Sequence, residues 1–120
     1  MAFYVDGFVL PIPRENAAAY RRMARTAGKV WMEYGALSYA ECMADDVQPG
    51  KLTSFPQAVK LKEDEVVWFS WITYKSRRDR DRINKLVMAD PRIQRMGPPN
   101  VMPFDGKRMF WGGFKSQVVY

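Results

Sequence analysis

The sequence predicts an α+β fold, and three observations carry the prediction. Two segments repeat apolar residues at helical spacing. Four other segments read as strands, from alternation or from β-branched and aromatic content. Their order is strand, helix, strand, strand, helix, strand, which is the ferredoxin-like βαββαβ arrangement: a four-stranded antiparallel sheet with both helices on one face.

The first strand is read at residues 3–10, FYVDGFVL, and is expected to stop at Pro11 and Pro13 because proline cannot donate to a central ladder. A helix over residues 14–34 follows. Its apolar stripe is Ala17, Tyr20, Ala24, Ala27, Trp31 and Tyr34, and its opposite side is Arg21, Arg22, Arg25 and Lys29. Pro13 suits its first turn and Gly35 its C-terminal cap. Residues 36–44 alternate between a small set (Ala36, Ser38, Ala40, Cys42, Ala44) and a large set (Leu37, Tyr39, Glu41, Met43). The small set is expected to receive a helix, which would make Cys42 a buried small apolar residue. Residues 45–60 open with Pro49-Gly50 and read as an extended excursion or short hairpin arm.

The third strand, residues 65–74, is apolar on both faces: Val66, Trp68, Ile72 and Tyr74 on one, Val67, Phe69 and Trp71 on the other. Ser76 caps a second helix, with Asp79 where a capping-box acid belongs, Ile83, Leu86 and Val87 inward, and Pro91 at its end. Arg77 with Asp81, and Asp81 with Lys85, stand at supportive spacing on its outer side. The last strand is read at roughly residues 107–120. Two helices can cover only one face of the sheet, so the second apolar face of strand three calls for a second copy of the chain.

Composition narrows the chemistry. With 120 residues, 48% apolar and 27% charged, the chain is long enough for one domain, residues 1–120, and reads as globular. It has no basic leader and no apolar run near the roughly 18 residues of a membrane span, so a cytoplasmic protein with no membrane partner is expected. One cysteine excludes an internal disulfide framework. The absence of histidine removes the commonest zinc ligand and general base, and there is no CxxC or GxGxxG, so neither metal nor other cofactor is expected. The net charge of +6 is uneven, with seven Lys/Arg against six Asp/Glu in residues 1–60 and twelve against seven in 61–120. In the run RRDRDR, however, aspartates dilute the cations, and the aromatics sit in strands. Nucleic acid is therefore an unlikely partner, bound weakly if at all.

The motifs "YVDGF", "FSW", "MADPR" and "PFDGKRM" followed by "GGF" make the whole chain resemble the DUF1428 family of small bacterial proteins. The resemblance implies a dimeric α+β barrel, in which two ferredoxin-like sheets pack face to face, akin to the antibiotic-biosynthesis monooxygenase and NIPSNAP groups. It implies no established activity. One departure is Trp111, where relatives are expected to carry tyrosine; a large aromatic is kept but a phenol hydroxyl is not.

Site candidates follow from residue types. Asp6 and Glu41 each stand alone among apolar neighbours in a strand, where burial would raise a carboxyl pKa and suit it to act as a base. Tyr39, Trp68, Trp71 and Trp111 supply aromatic surface; Asn84, Asp105 and Arg108 supply polar contacts. Arg108 is expected to orient an anion, because a guanidinium binds a carboxylate in a bidentate fashion. Gly112-Gly113 mark a bulge or a close approach. The expected role is a homodimer that binds or turns over a small molecule. Any enzyme activity would be of the cofactor-independent monooxygenase kind, by analogy of fold. The alternative is a non-catalytic interaction protein whose dimer is its function.

Overall fold

The predicted order of strands and helices is the observed one. A computed structural model describes residues 2–120: β1 (Tyr4–Pro13), a 3-10 turn (Arg14–Asn16), α1 (Ala17–Glu33), β2 (Ser38–Met43), α2 (Phe55–Ala58), β3 (Glu65–Tyr74), α3 (Arg77–Ala89), α4 (Pro91–Gln94), a second 3-10 turn (Pro99–Val101) and β4 (Phe110–Lys115). The four strands form one antiparallel sheet in the order β2-β3-β1-β4.

Register decides which side chains share a face. Tyr4, Asp6, Phe8, Leu10 and Ile12 of β1 lie beside Trp68, Ser70, Ile72 and Tyr74 of β3. On this face Val30 of α1 and Ile83 and Val87 of α3 pack with Tyr4, Ile72 and Tyr74, while Tyr20 and Ala24 of α1 pack with Leu10, Ile12 and Trp68. Both helices therefore cover one face, as ferredoxin-like topology requires. Ser76 caps α3 by accepting a hydrogen bond from the Asp79 N–H. Gly35 follows α1 at φ +113°, a conformation for which glycine is favoured. No helix is long and apolar enough to cross a membrane.

Several expectations are corrected. β1 runs on through Pro11 and Pro13, because its ladder to β4 ends at Val9 and the last residues border only β3; an edge without a neighbour tolerates proline. The excursion after β2 is no hairpin arm: Ser54 caps the short α2, and Val59 and Leu61 then fold back onto Val9 and Val67. After α3 ends, the short α4 follows directly, capped by Asp90. Leu86, expected inward, is exposed. The large set of β2 faces α1, since Tyr39 lies against Gly28 and Glu41 against Tyr20. The small residues within β2, Ser38, Ala40 and Cys42, face away from the helices and Cys42 is exposed, whereas Ala36, just before the strand, is buried with Val30 and Ile83. Size alone misled here, because a helix can approach a large side chain where its own residue is glycine.

That outward face carries Trp71 between Ala40 and Gly7, with Gly112 beyond. Phe69, Phe110 and Phe114 flank this floor of small residues and are exposed. The segment from α2 to Leu61 covers only the end of the face near Val9 and Val67.

Candidate functional site

On the helix side, the sheet and α1 leave a chain of cavities. The largest, about 860 Å³, is lined by Ala24, Gly28 and Met32 of α1, by Tyr39, Glu41 and Met43 of β2 and by Trp68 of β3, with Arg21, Arg25, Lys29, Glu33 and Arg92 around them. A second, about 130 Å³, lies deeper and shares Tyr39 and Glu41 with the first. A third, about 710 Å³, lies under residues 96–109 and shares Met23, Trp31, Phe104 and Met109 with the second. Tyr39 and Glu41 therefore form a partition between the outer cavity and the inner ones.

The partition is built from hydrogen bonds to one carboxylate. The Tyr20 hydroxyl donates to Glu41 Oε1 at 2.9 Å and the Tyr39 hydroxyl to Oε2 at 2.8 Å. Ser70, opposite Glu41 in the β2–β3 register, sets a third hydroxyl nearby without a direct hydrogen bond to it. No salt bridge among the described residues reaches Glu41. Burial raises its carboxyl above the ordinary glutamate value, and the three hydroxyls offset this only in part. Burial and the adjacent carboxylate push both tyrosines far above their usual range, so they remain hydrogen-bond donors. Gly28 permits the arrangement, since a Cβ there would lie 2.9 Å from the Tyr39 ring. Trp68, almost fully buried, carries an indole N–H with no partner among the described residues. The result is an open, largely apolar cavity with a carboxylate in its wall and a basic mouth.

Three of the residues predicted as site candidates, Tyr39, Glu41 and Trp68, come together here. The others are placed elsewhere. Trp71 points to the opposite face of the sheet, by its pairing with Gly7 and Ala40. Trp111 stacks on Phe8 at the β4 edge, at 5.9 Å between ring centroids, and lines none of these cavities. Asn84 accepts hydrogen bonds from the Trp31 indole at 3.0 Å and the Tyr74 hydroxyl at 3.2 Å, tying α1, α3 and β3 together. Asp6 is buried with Arg80 at 3.3 Å; burial raises its pKa while Arg80 opposes the rise. Asp105 borders the third cavity but holds Arg108 at 2.9 Å.

Arg108 does not reach a cavity. It grips the buried Glu65 through both terminal nitrogens and also donates to the Val59 and Lys60 carbonyls. The physical reason lies in Glu65, a carboxylate taken out of water that needs a charged partner. Arg108 holds Glu65 below the ordinary glutamate range. The residues that sequence reasoning missed are Tyr20, whose hydroxyl was hidden in an apolar stripe, and the α1 cations, read as a solvated side. Their spacing, at steps of four, was the available signal.

Residues 3–106 match the family described as a protein of unknown function, DUF1428. The chain is 51% identical over 115 residues to the uncharacterized protein YbaA of Escherichia coli K12, covering 96% of this chain and 97% of the relative; YbaA of Shigella flexneri matches equally well. Among solved structures, a putative antibiotic biosynthesis monooxygenase from Nitrosomonas europaea superposes with a TM-score of 0.52 at 12% identity, over 98% of this chain and 91% of that one. An uncharacterized NIPSNAP-like domain protein from Burkholderia xenovorans gives 0.50 at 13% identity, over 98% and 85%. At that identity the likeness concerns the fold alone.

Proposed function

The chain belongs to the DUF1428 family, whose function is unknown, and we propose from the geometry of this member that it is a homodimer binding a small molecule in the cavity walled by Tyr39, Glu41 and Trp68. One observation carries the reading: a half-buried carboxylate with no salt-bridge partner among the described residues, held by two tyrosine hydroxyls on the wall of a roughly 860 Å³ cavity. A chain that needed only stability would gain little from a carboxylate there, since withdrawing one from water without a cation is costly. Turnover, if it occurs, would use Glu41 as the base toward an acidic O–H or C–H of the ligand.

Dimerisation is supported by the outward face, where Phe69, Phe110 and Phe114 surround a floor formed by Gly7, Ala40 and Gly112. It is supported also by the fold shared with the monooxygenase-like and NIPSNAP-like proteins. Because the cavities lie on the helix side, each protomer would hold its own site. Nucleic acid remains the weaker reading. Arg77, Arg80 and Arg82 of α3 each stand beside an aspartate, which reduces the field a phosphate backbone would meet.

The binding reading is tested by screening a fragment library with saturation-transfer NMR on the wild type and on Met32→Trp/Met43→Trp, which fills the cavity from its exposed rim. Hits present in the wild type and lost in the filled variant are expected. Hits that persist in the filled protein, or no hits in either, would contradict it.

A further inference from the structure

We infer that the outer cavity is built for an amphiphilic acid: a small molecule whose carboxylate or phosphate sits among Arg21, Arg25 and Lys29 at the mouth, while its apolar body lies along Met32, Met43 and Trp68. The inference rests on the binding reading above and adds the ligand's chemical class.

The first support is the contrast between two basic helices. On α3 three of the five cations stand beside aspartates, Arg77 and Arg80 with Asp81 and Arg82 with Asp79. On α1, Arg21, Arg25 and Lys29 recur every four residues, all bordering the cavity, and no salt bridge among the described residues engages them. Like charges at this spacing repel one another, and an anion set among them relieves the repulsion. Arg92 completes the mouth but is tied to Glu33 and Asp90, so the α1 row is left to receive the ligand.

The second support is the wall. The Arg21 guanidinium lies 5.9 Å from the Trp68 ring centroid, which joins the charged mouth to apolar surface. Met32 and Met43 are half exposed within the cavity, adaptable surface suited to a flexible apolar body. An anion and an apolar body are therefore asked for together, and neither a fully polar anion such as inorganic phosphate nor a neutral hydrocarbon meets both demands.

The full-length protein would be titrated with the fluorescent sulfonate 8-anilinonaphthalene-1-sulfonate and the neutral probe N-phenyl-1-naphthylamine, each displaced by decanoate, decyl phosphate or decanol below micelle formation. Decanoate or decyl phosphate should displace the sulfonate at least about tenfold more effectively than decanol, and which of the two acids does so better identifies the head group. Arg21→Gln/Arg25→Gln/Lys29→Gln should weaken binding of the acids about tenfold or more while leaving the neutral probe within a few-fold. Removing three cations that do not line the cavity (Lys51→Gln/Lys75→Gln/Lys115→Gln) should change neither. Equal displacement by decanol, or undiminished binding of the acids to the α1 variant, overturns the inference. In either case a neutral probe excluded by Met32→Trp/Met43→Trp leaves the cavity reading standing, whereas a neutral probe that the filled variant binds as well as the wild type sinks both.

Discussion

Glu41, half-buried, and Glu65, buried, are both carboxylates withdrawn from bulk water, yet their surroundings push them in opposite directions, and pH separates them. Burial raises Glu41 above its ordinary value of 4.5, so its ionisation costs the folded state stability as pH rises from about 4.5 through the raised value. Glu41→Gln should therefore become more favourable relative to wild type as pH rises from about 4.5 through the raised value, and level off above it, whatever its pH-independent effect. A melting-temperature difference that is flat or runs the other way would show that the carboxylate is not held in the strained state described. Glu65 is lowered by Arg108, so the pair contributes stability above about pH 4.5 and loses it as pH falls through the lowered value. Arg108→Gln should cost about 2–3 kcal/mol in urea unfolding at pH 7, because it strands a buried carboxylate, and the gap should narrow on acidification. A cost below about 0.5 kcal/mol, the scale of ordinary surface changes, would remove the structural role assigned to this arginine.

At the scale of elements, the two glycines of β4 separate folding from association. Gly113 lies opposite Asp6 on the helix side, where a Cβ would run into the Tyr4 ring. Gly112 lies opposite Gly7 on the outward side, where a Cβ meets only the Phe114 ring at 3.8 Å. Gly113→Ala should thus lose about 1–3 kcal/mol of stability by overpacking, while Gly112→Ala should leave protomer folding nearly unchanged and weaken self-association. Equal melting temperatures for the two variants would contradict the register on which the face assignment rests. The elements themselves were legible because periodicity and turn residues are local: the α1 stripe, the Ser76 cap and the two-faced β3 could all be read along the chain. What escaped depended on partners distant in sequence. Which side of β2 met the helix turned on Gly28, and the role of Arg108 turned on Glu65, forty-three positions away. Of the site, the individual side chains Tyr39, Glu41 and Trp68 were legible as unusual residues in strands. Their convergence, and the exclusion of Trp71 by sheet alternation, required the register.

For the whole molecule, the apolar outward face and the cavity on the helix side make association and binding separable. Light scattering at micromolar concentration should report a dimer. Trp71→Asp should yield a monomer, since an unpaired charge buried at an interface costs about 2–4 kcal/mol or more; a wild type that is monomeric at that concentration would refute the dimer. The central claim concerns the other side of the sheet, and the indole N–H signals of Trp68 and Trp71 report on the two faces independently. In a 1H–15N correlation spectrum assigned with single Trp→Phe variants, titration with decanoate should move the Trp68 indole peak in a saturable manner and leave that of Trp71 in place. A Trp71 peak that moves while Trp68 stays fixed, or two fixed peaks at saturating ligand, would contradict a binding site at Glu41.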